Sequence, residues 1–488
     1  MADLNQNYVG GEWVSSETGE TFEVHNPAAP DETVASYQQS SAADAAEAVE
    51  AAADAQDEWA TTPGPERGRI LRKAGTILAD RKDELTAMLV EEEGKARPEA
   101  AGEVQRAIDI FHYFAGKASD LGGTMKGSSS RDTTLYTREE PVGVAALITP
   151  WNYPIAIPVW KLAPALAAGN SVVIKPASAA PGVVFAVTEA LDEAGLPDGV
   201  LNVVTGPGSS VGNEFITNEG TDAVSFTGSG QVGEMVYDQA TDAGKRVQTE
   251  MGGKNPTLVT DSADPAEAAE IVATGGFGTT GQSCTACSRA VVHEDVYDEF
   301  VEQFVDAVES FTVGDPMDPE TDVGPQARQE LMEDVHEQVA ESVDAGATVE
   351  TGGEPLDREG AYYPPTVLTD VPEGSPADAE EVFGPVAAVF RVSDGDAAVE
   401  KANDTQFGLG ASIWTNDLAR GERVARRIDA GCTFVNELVK SDPRVPFGGV
   451  KESGYGRELA AAGITEFVNR KTIWSQNPET TDDEVPTE

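Results

Sequence analysis

Cys284 lies in GFGTTGQSCTACSR, a glycine-rich run with no aromatic or charged side chain immediately beside the thiol. A loop of this kind leaves a thiol accessible, and a thiolate is a strong nucleophile when its surroundings lower the pKa from about 8.5. The alternative is a buried structural cysteine, the role assigned to Cys287 and Cys432. Glu250, in QTEMGGKNP, ends a strand-like run, and the following glycine pair leaves its carboxylate open toward a cleft. That is a suitable place for a general base. Gly228, Gly230 and Gly233 form GSGQVG between the strand-like AVSFT and the helix-like EMVYDQATDA. Glycines there let a backbone approach a pyrophosphate at a helix N-terminus, although they equally suit a plain strand-to-helix turn. The same motif would place an acidic ribose ligand at Glu250. Lys175, after the buried run in VVIKPAS, reads better as the residue that reaches ribose hydroxyls or phosphate.

These residues need a scaffold, and the sequence describes one. From Val142 onward, VGVAALI, NSVVIKPA, GVLNVVTG and AVSFTG alternate with helical stretches, and PTLVT, RAVVHE and AAVFRV begin a second such series near Asn255. Strands alternating with helices imply βαβ units around parallel sheets, so the chain reads as α/β with two lobes. Ser41 to Asp120 has helical periodicity, and Ser41 with Asp44 resembles a capping box. Residues 121–140 are Gly- and Ser-rich, then alternate as a strand does, and read as an excursion from the main sheet. The acidic tail from Asn477 reads as frayed.

Composition excludes several functions. With 85 acidic and 33 basic residues the formal charge is −52, and nucleic acid is excluded as a partner because phosphate binding needs clustered Lys and Arg. The acids are scattered over Ala-rich helices as a solvated surface. Their repulsion is screened at ~1 M salt, where the Debye length is about 3 Å. A halophile's cytoplasm is therefore the expected setting. The N-terminal MADLNQNYVGGEW lacks the pattern of a signal peptide. The apolar stretch from Val142 to Ile174 is broken by four prolines and contains Lys161, against a membrane span. Three cysteines make no disulfide framework, and the four histidines show no metal-ligand spacing, so no metal is expected.

NYVGGEWV, TPWNYP, KPAS, FTGSGQVG, EMGGKNP, GQSCTA, EEVFGPV and PFGGVKESGYGRE, in that order, resemble the aldehyde dehydrogenase family over nearly the whole chain. The resemblance implies a dinucleotide-binding domain (1–120 and 141–251), a catalytic domain (252–445), a return segment (446–469), and a β-ribbon oligomerisation arm with its tail (121–140 and 470–488). It also implies a homo-oligomer, dimer or tetramer. Carried onto matching positions, it makes Cys284 the nucleophile and Asn152 the donor to the oxyanion, with Lys161 near the active centre. Glu250 then activates the water that hydrolyses a thioester. Trp151, Lys175, Ser178, Gly228, Ser229, Gly233, Glu381 and Phe383 would hold NAD or NADP. Related NAD-specific enzymes often carry Glu at the Ser178 position, so Ser178 implies that NADP is accepted, with Lys175 as counter-ion.

The thiol, base and amide all stand, against an inactive relative. Glu250 favours hydrolysis over acyl transfer to coenzyme A. GQSCTACSR, EVQRAIDIFHYFAG and PIAIPVWK look most like the α-ketoglutarate semialdehyde (2,5-dioxopentanoate) dehydrogenases. Succinate semialdehyde is the alternative substrate, disfavoured by Trp160 where such enzymes often carry Arg. Arg106 and Arg444 are the candidate cations for a substrate carboxylate.

Overall fold

The computed structural model describes residues 4–476, so the acidic segment from Asn477 lies outside the described residues. Its first large sheet has five parallel strands at its centre, in the order Leu201–Val203, Ser171–Lys175, Val144–Ile148, Ala223–Thr227 and Arg246–Glu250. Chain order runs outward from Val144–Ile148 to one side and then resumes on the other. That is the doubly wound arrangement, which opens a ligand crevice at the carboxyl ends of the strands. VAALI and SVVIK are buried along their full length. Alternate residues explain why: Ala145, Leu147, Val172 and Ile174 enter one core, while Val144, Ala146, Ile148 and Val173 enter the core on the opposite face. The proline-broken apolar stretch is thus a strand, the buried helix Ala156–Ala168 and a second strand. No helix among the described residues is long and apolar enough to cross a membrane.

The Ser41–Asp120 segment resolves into four helices, Ala42–Thr61, Gly64–Asp80, Lys82–Glu93 and Arg97–Lys117. The capping box forms: Ser41 Oγ accepts from the N–H groups of Ala43 and Asp44, and Asp44 accepts from the Ser41 N–H at 2.7 Å. Gly94, at φ +90°, ends the third helix in the left-handed conformation that glycine reaches without strain.

The second large sheet runs Thr348–Thr351, Thr366–Thr369, Val386–Val392, Cys287–His293, Asn255–Val259, Gly410–Trp414 and Cys432–Val435, parallel except at Thr348–Thr351. Thr133–Pro141 leaves the body and pairs antiparallel with Val468–Gln476 along its whole length, with Met125–Lys126 on its other side. A second small sheet, Leu4–Asn5, Ala29–Gln38 and Thr21–Asn26, was not anticipated from the sequence. Its strands are mostly half-exposed, so they lack the apolar runs that mark the others.

Candidate active site

The carboxyl edge of the first sheet carries most of the predicted residues. The loop after Ile148 holds Trp151 and Asn152, Lys175 ends its strand with Ser178 three residues on, Gly228 and Ser229 follow Thr227, and Glu250 is the last residue of its strand. The second sheet presents its amino edge: Cys284 precedes Cys287–His293, and Glu381 and Phe383 precede Val386–Val392.

A cavity of about 300 Å³ lies between them, and Cys284, Glu250, Trp160, Arg106, Glu99 and Glu458 are among its walls. The Cys284 carbonyl accepts from Asn255 Nδ2 at 2.7 Å, and a Cβ on Gly253 would lie 2.4 Å from the same oxygen, so glycine is needed for the loop to approach. Burial pushes the Cys284 thiol well above its ordinary value, and the carboxylates of Glu381, Glu250 and Glu458 push it further. This corrects the expectation of a lowered pKa. The loop is free of charge in sequence, but the fold surrounds it with acids.

Glu250 is buried, its Oε1 accepting from Gln248 Nε2 at 3.3 Å and its Oε2 from the Gly449 N–H at 3.3 Å. Burial raises its pKa well above the usual carboxylate range, with Glu458 adding repulsion, while Lys161, Arg457 and the Gly449 N–H oppose the rise. Lys161 is buried in the wall beside it. Its ammonium donates to Glu458 at 2.7 Å, Ser225 Oγ at 2.9 Å and Gln248 Oε1 at 3.4 Å. Its charge acts directly on Glu250, opposing the repulsion from the Glu458 carboxylate with which it is paired.

Asn152 donates its amide to the Gln282 carbonyl at 2.9 Å, two residues before the nucleophile, and so ties the WNYP loop to the cysteine loop. The residues that hold it there were missed from the sequence. Lys95, fully buried, donates to the Asn152 carbonyl and to Glu103, both at 2.6 Å, and lies 4.5 Å over the Tyr153 ring. Glu103 in turn accepts from the N–H groups of Ile155 and Ala156 at 3.0 Å. Burial works against the Lys95 charge, but Glu103 and Glu93 more than offset it and hold its pKa above the ordinary value. Glu99 accepts from the Thr279 N–H at 2.6 Å, and burial raises its pKa to about 7. The available signal was spacing: Lys95, Glu99 and Glu103 recur every four residues, with the two glutamates on one helix face.

Trp160 lines the cavity and meets Phe447 edge-on at 5.1 Å. Arg106 also lines it, donating to the Ser441 carbonyl. Arg444 does not. It is exposed and forks onto Asp442, two residues away, at 2.8 and 2.6 Å. The structure thus separates the two arginines that the sequence treated alike.

The residues fit a dinucleotide. The helix Gly230–Asp242 begins at Gly230, where a Cβ would meet nothing within 4 Å, and Ser229 makes no side-chain cap, so its first N–H groups are free for an anion. Gly233 packs against Met251, where a Cβ would come within 2.3 Å of the sulfur. Glu381 accepts from the Gly253 N–H at 2.8 Å, and burial raises its pKa to about 7. Phe383 meets Trp151 edge-on at 5.6 Å. Lys175 is turned inward, its ammonium donating to the carbonyls of Pro176 at 3.0 Å and Gly206 at 3.4 Å, and burial lowers its pKa to about 8. Ser178 is exposed on a separate groove that Lys175 does not line.

A doubly wound sheet with free N–H groups at a helix start, beside a cavity lined by a thiol and a buried carboxylate, is the arrangement of a dinucleotide-dependent oxidoreductase. Residues 13–473 match the model of the aldehyde dehydrogenase family, and the chain belongs to that family. It is 64% identical over 481 residues to the α-ketoglutarate semialdehyde dehydrogenase of Haloferax volcanii, covering 97% of this chain and 99% of that one. Among solved structures it resembles an NADP-dependent enzyme of Escherichia coli (35% identity, TM-score 0.95, 97% of this chain and 98% of that one). It also resembles an NAD-dependent aldehyde dehydrogenase of Sinorhizobium meliloti (35% identity, TM-score 0.96, 99% and 97%). The chain is thus an NAD(P)-dependent aldehyde dehydrogenase.

Proposed function

We propose that this enzyme oxidises α-ketoglutarate semialdehyde to α-ketoglutarate, with NADP accepted as well as NAD. The observation that carries the reading is the single cavity that brings Cys284, Glu250 and Arg106 together. Arg106 supplies the cation that a substrate with a far carboxylate requires in a chain of charge −52. The likeness to the Haloferax enzyme supports the same substrate.

In this mechanism the Cys284 thiol gives its proton to solvent water and its sulfur bonds to the aldehyde carbon, turning the carbonyl oxygen into an oxyanion. Asn152 and the Cys284 N–H donate to that oxygen, each such donor lowering the barrier by roughly 2.7–4 kcal/mol. Bound nicotinamide supplies the acceptor for the hydride that leaves the tetrahedral carbon. The thioester left on Cys284 is attacked by water whose proton goes to Glu250, and the acid departs as the sulfur is released. A carboxylate with a raised pKa suits that task. Glu381 and Phe383 would hold the nicotinamide end, and Gly228 and Ser229 would receive the pyrophosphate, while Gly233, the third glycine of the motif, lets the helix pack on Met251.

The first large sheet forms the dinucleotide-binding domain, the second the catalytic domain, and the ribbon of Thr133–Pro141 and Val468–Gln476 the oligomerisation arm. Exposed Met125 and Trp474 on that ribbon support assembly with further copies, as a dimer or tetramer. The scattered acidic surface supports work in a cytoplasm of molar salt. Initial rates on charged and neutral aldehydes, succinate semialdehyde included, with both cofactors in molar KCl, test the reading. The highest kcat/KM is expected for α-ketoglutarate semialdehyde; a higher value for a neutral aliphatic aldehyde overturns it.

A further inference from the structure

The groove that holds Ser178 has a volume of about 420 Å³, and its other walls come from the strand Thr21–Asn26 and from Ala327–Glu330 at the start of the helix Gln329–Ala345. Arg328 is the one Lys or Arg in that lining. Its guanidinium lies 5.9 Å over the ring of Trp151, the residue that packs on Phe383. The other charged groups facing the groove are Glu23, which sits 3.7 Å from His25, and Glu330.

Arg328 makes no ion pair among the described residues. Arg72, Arg97, Arg131, Arg138, Arg358 and Arg423 make none there either, so what sets Arg328 apart is its place in the groove with Ser178 and over Trp151. An exposed arginine left free beside a cofactor-site aromatic is available to an anion that comes from outside the chain. Guanidinium also matches phosphate geometry better than ammonium does. The inward-turned Lys175 ammonium, by contrast, is already held by two carbonyls.

We propose that Arg328, across the groove from Ser178, is the specificity residue that takes the 2′-phosphate of NADP. This inference rests on the reading that NADP is accepted. Ser178 removes a carboxylate's repulsion and Arg328 supplies the attraction, so the selectivity is built from both large lobes. With two carboxylates in the same lining, a 2′-phosphate has no other permanent cation to meet there.

Calorimetric titration of the full chain in molar KCl with 2′,5′-ADP and with 5′-AMP tests the assignment through binding alone. Wild type is expected to bind 2′,5′-ADP more tightly than 5′-AMP. Arg328→Gln is expected to weaken 2′,5′-ADP about tenfold or more while leaving 5′-AMP within about twofold, and Arg328→Lys to recover part of the loss. Equal weakening of both nucleotides, or no weakening of either, overturns the role of Arg328 while wild-type preference for 2′,5′-ADP keeps the NADP reading intact. Wild type that gains nothing from the 2′-phosphate overturns both.

Discussion

The two large sheets meet the active-site cavity with opposite ends of their strands. The first offers carboxyl ends, where Glu250 is itself a strand residue and Asn152 follows within four residues of one. The second offers amino ends, reached through connecting loops, and its Cys284 loop is unusual in backbone as well as position: Thr279 and Thr280 hold φ of +52° and +54°. A residue that ends a buried strand is placed by the sheet. A residue in an incoming loop is placed by whatever holds the loop, here Asn255 Nδ2 on the Cys284 carbonyl and the Glu99 carboxylate on the Thr279 N–H. In the proposed mechanism the nucleophile thus rides on the second sheet's loop, while the base Glu250 and the oxyanion donor Asn152 sit at the first sheet's edge.

The most severe way to break that division is Cys284→Ser. Turnover should fall by at least about three orders of magnitude, because a hydroxyl is a far weaker nucleophile, while nucleotide binding by titration should survive a nearly isosteric change. Retained turnover would end the thioester mechanism. Glu250→Gln touches only the other half. It should lower steady-state turnover by about 10²–10⁴-fold yet leave a single burst of reduced cofactor in stopped flow, since water enters after the hydride has left. The pH dependence sharpens this further. Glu250 has a raised pKa, so below it the carboxyl is protonated and cannot accept a proton, and wild-type deacylation should climb as pH rises through that value. In Glu250→Gln the slow step after the burst should lose this acid limb. A limb of unchanged shape would point to a different base.

A third substitution probes the cavity wall shared by neither strand edge. Arg106→Ala should lower kcat/KM for the dicarboxylic semialdehyde by about 10–100-fold, the effect of losing a charge-assisted hydrogen bond, and hardly change that for a neutral aldehyde. Arg444→Ala, which severs only the fork onto Asp442, should leave both within about twofold. Equal losses on the two aldehydes in Arg106→Ala would make that arginine structural.

Legibility in the sequence followed the same division between strand ends and incoming loops. The βαβ strands were readable because VAALI, SVVIK and AVSFT are short apolar runs bounded by turn residues, and a buried parallel strand leaves that trace. Glu250 and the GSGQVG glycines were readable because they abut such strands. What the sequence concealed depends on residues far apart along the chain. Lys95 is 57 residues from the carbonyl it holds, and the thiol's raised pKa comes first from burial and then from carboxylates at positions 381, 250 and 458. Arg106 and Arg444 looked equivalent until the fold paired one with its own neighbour. The inward turn of Lys175 was equally invisible, because its partners, the Pro176 and Gly206 carbonyls, are backbone groups that no side-chain pattern announces.

The smallest expected effect concerns the far end of the cofactor, where both sheets again contribute. Ser178 follows a strand of the first sheet, and it is exposed, so a replacement there has room and should not disturb folding. A glutamate would bring a carboxylate to a groove that already carries Glu23 and Glu330. It would repel a 2′-phosphate while offering an acceptor to a free ribose hydroxyl. Between partly exposed groups such a repulsion is worth about 1 kcal/mol, and molar salt screens it further. Ser178→Glu should therefore move the NADP-to-NAD ratio of kcat/KM toward NAD by roughly fivefold to tenfold, with kcat on NAD nearly unchanged because the nicotinamide end is untouched. The shift should grow as KCl is lowered within the range where the protein stays folded, since screening weakens. A ratio that does not move, or one that moves without any dependence on salt, would show that the charge at position 178 does not face the ribose, and cofactor choice would then have to be sought entirely on the second sheet's side of the groove.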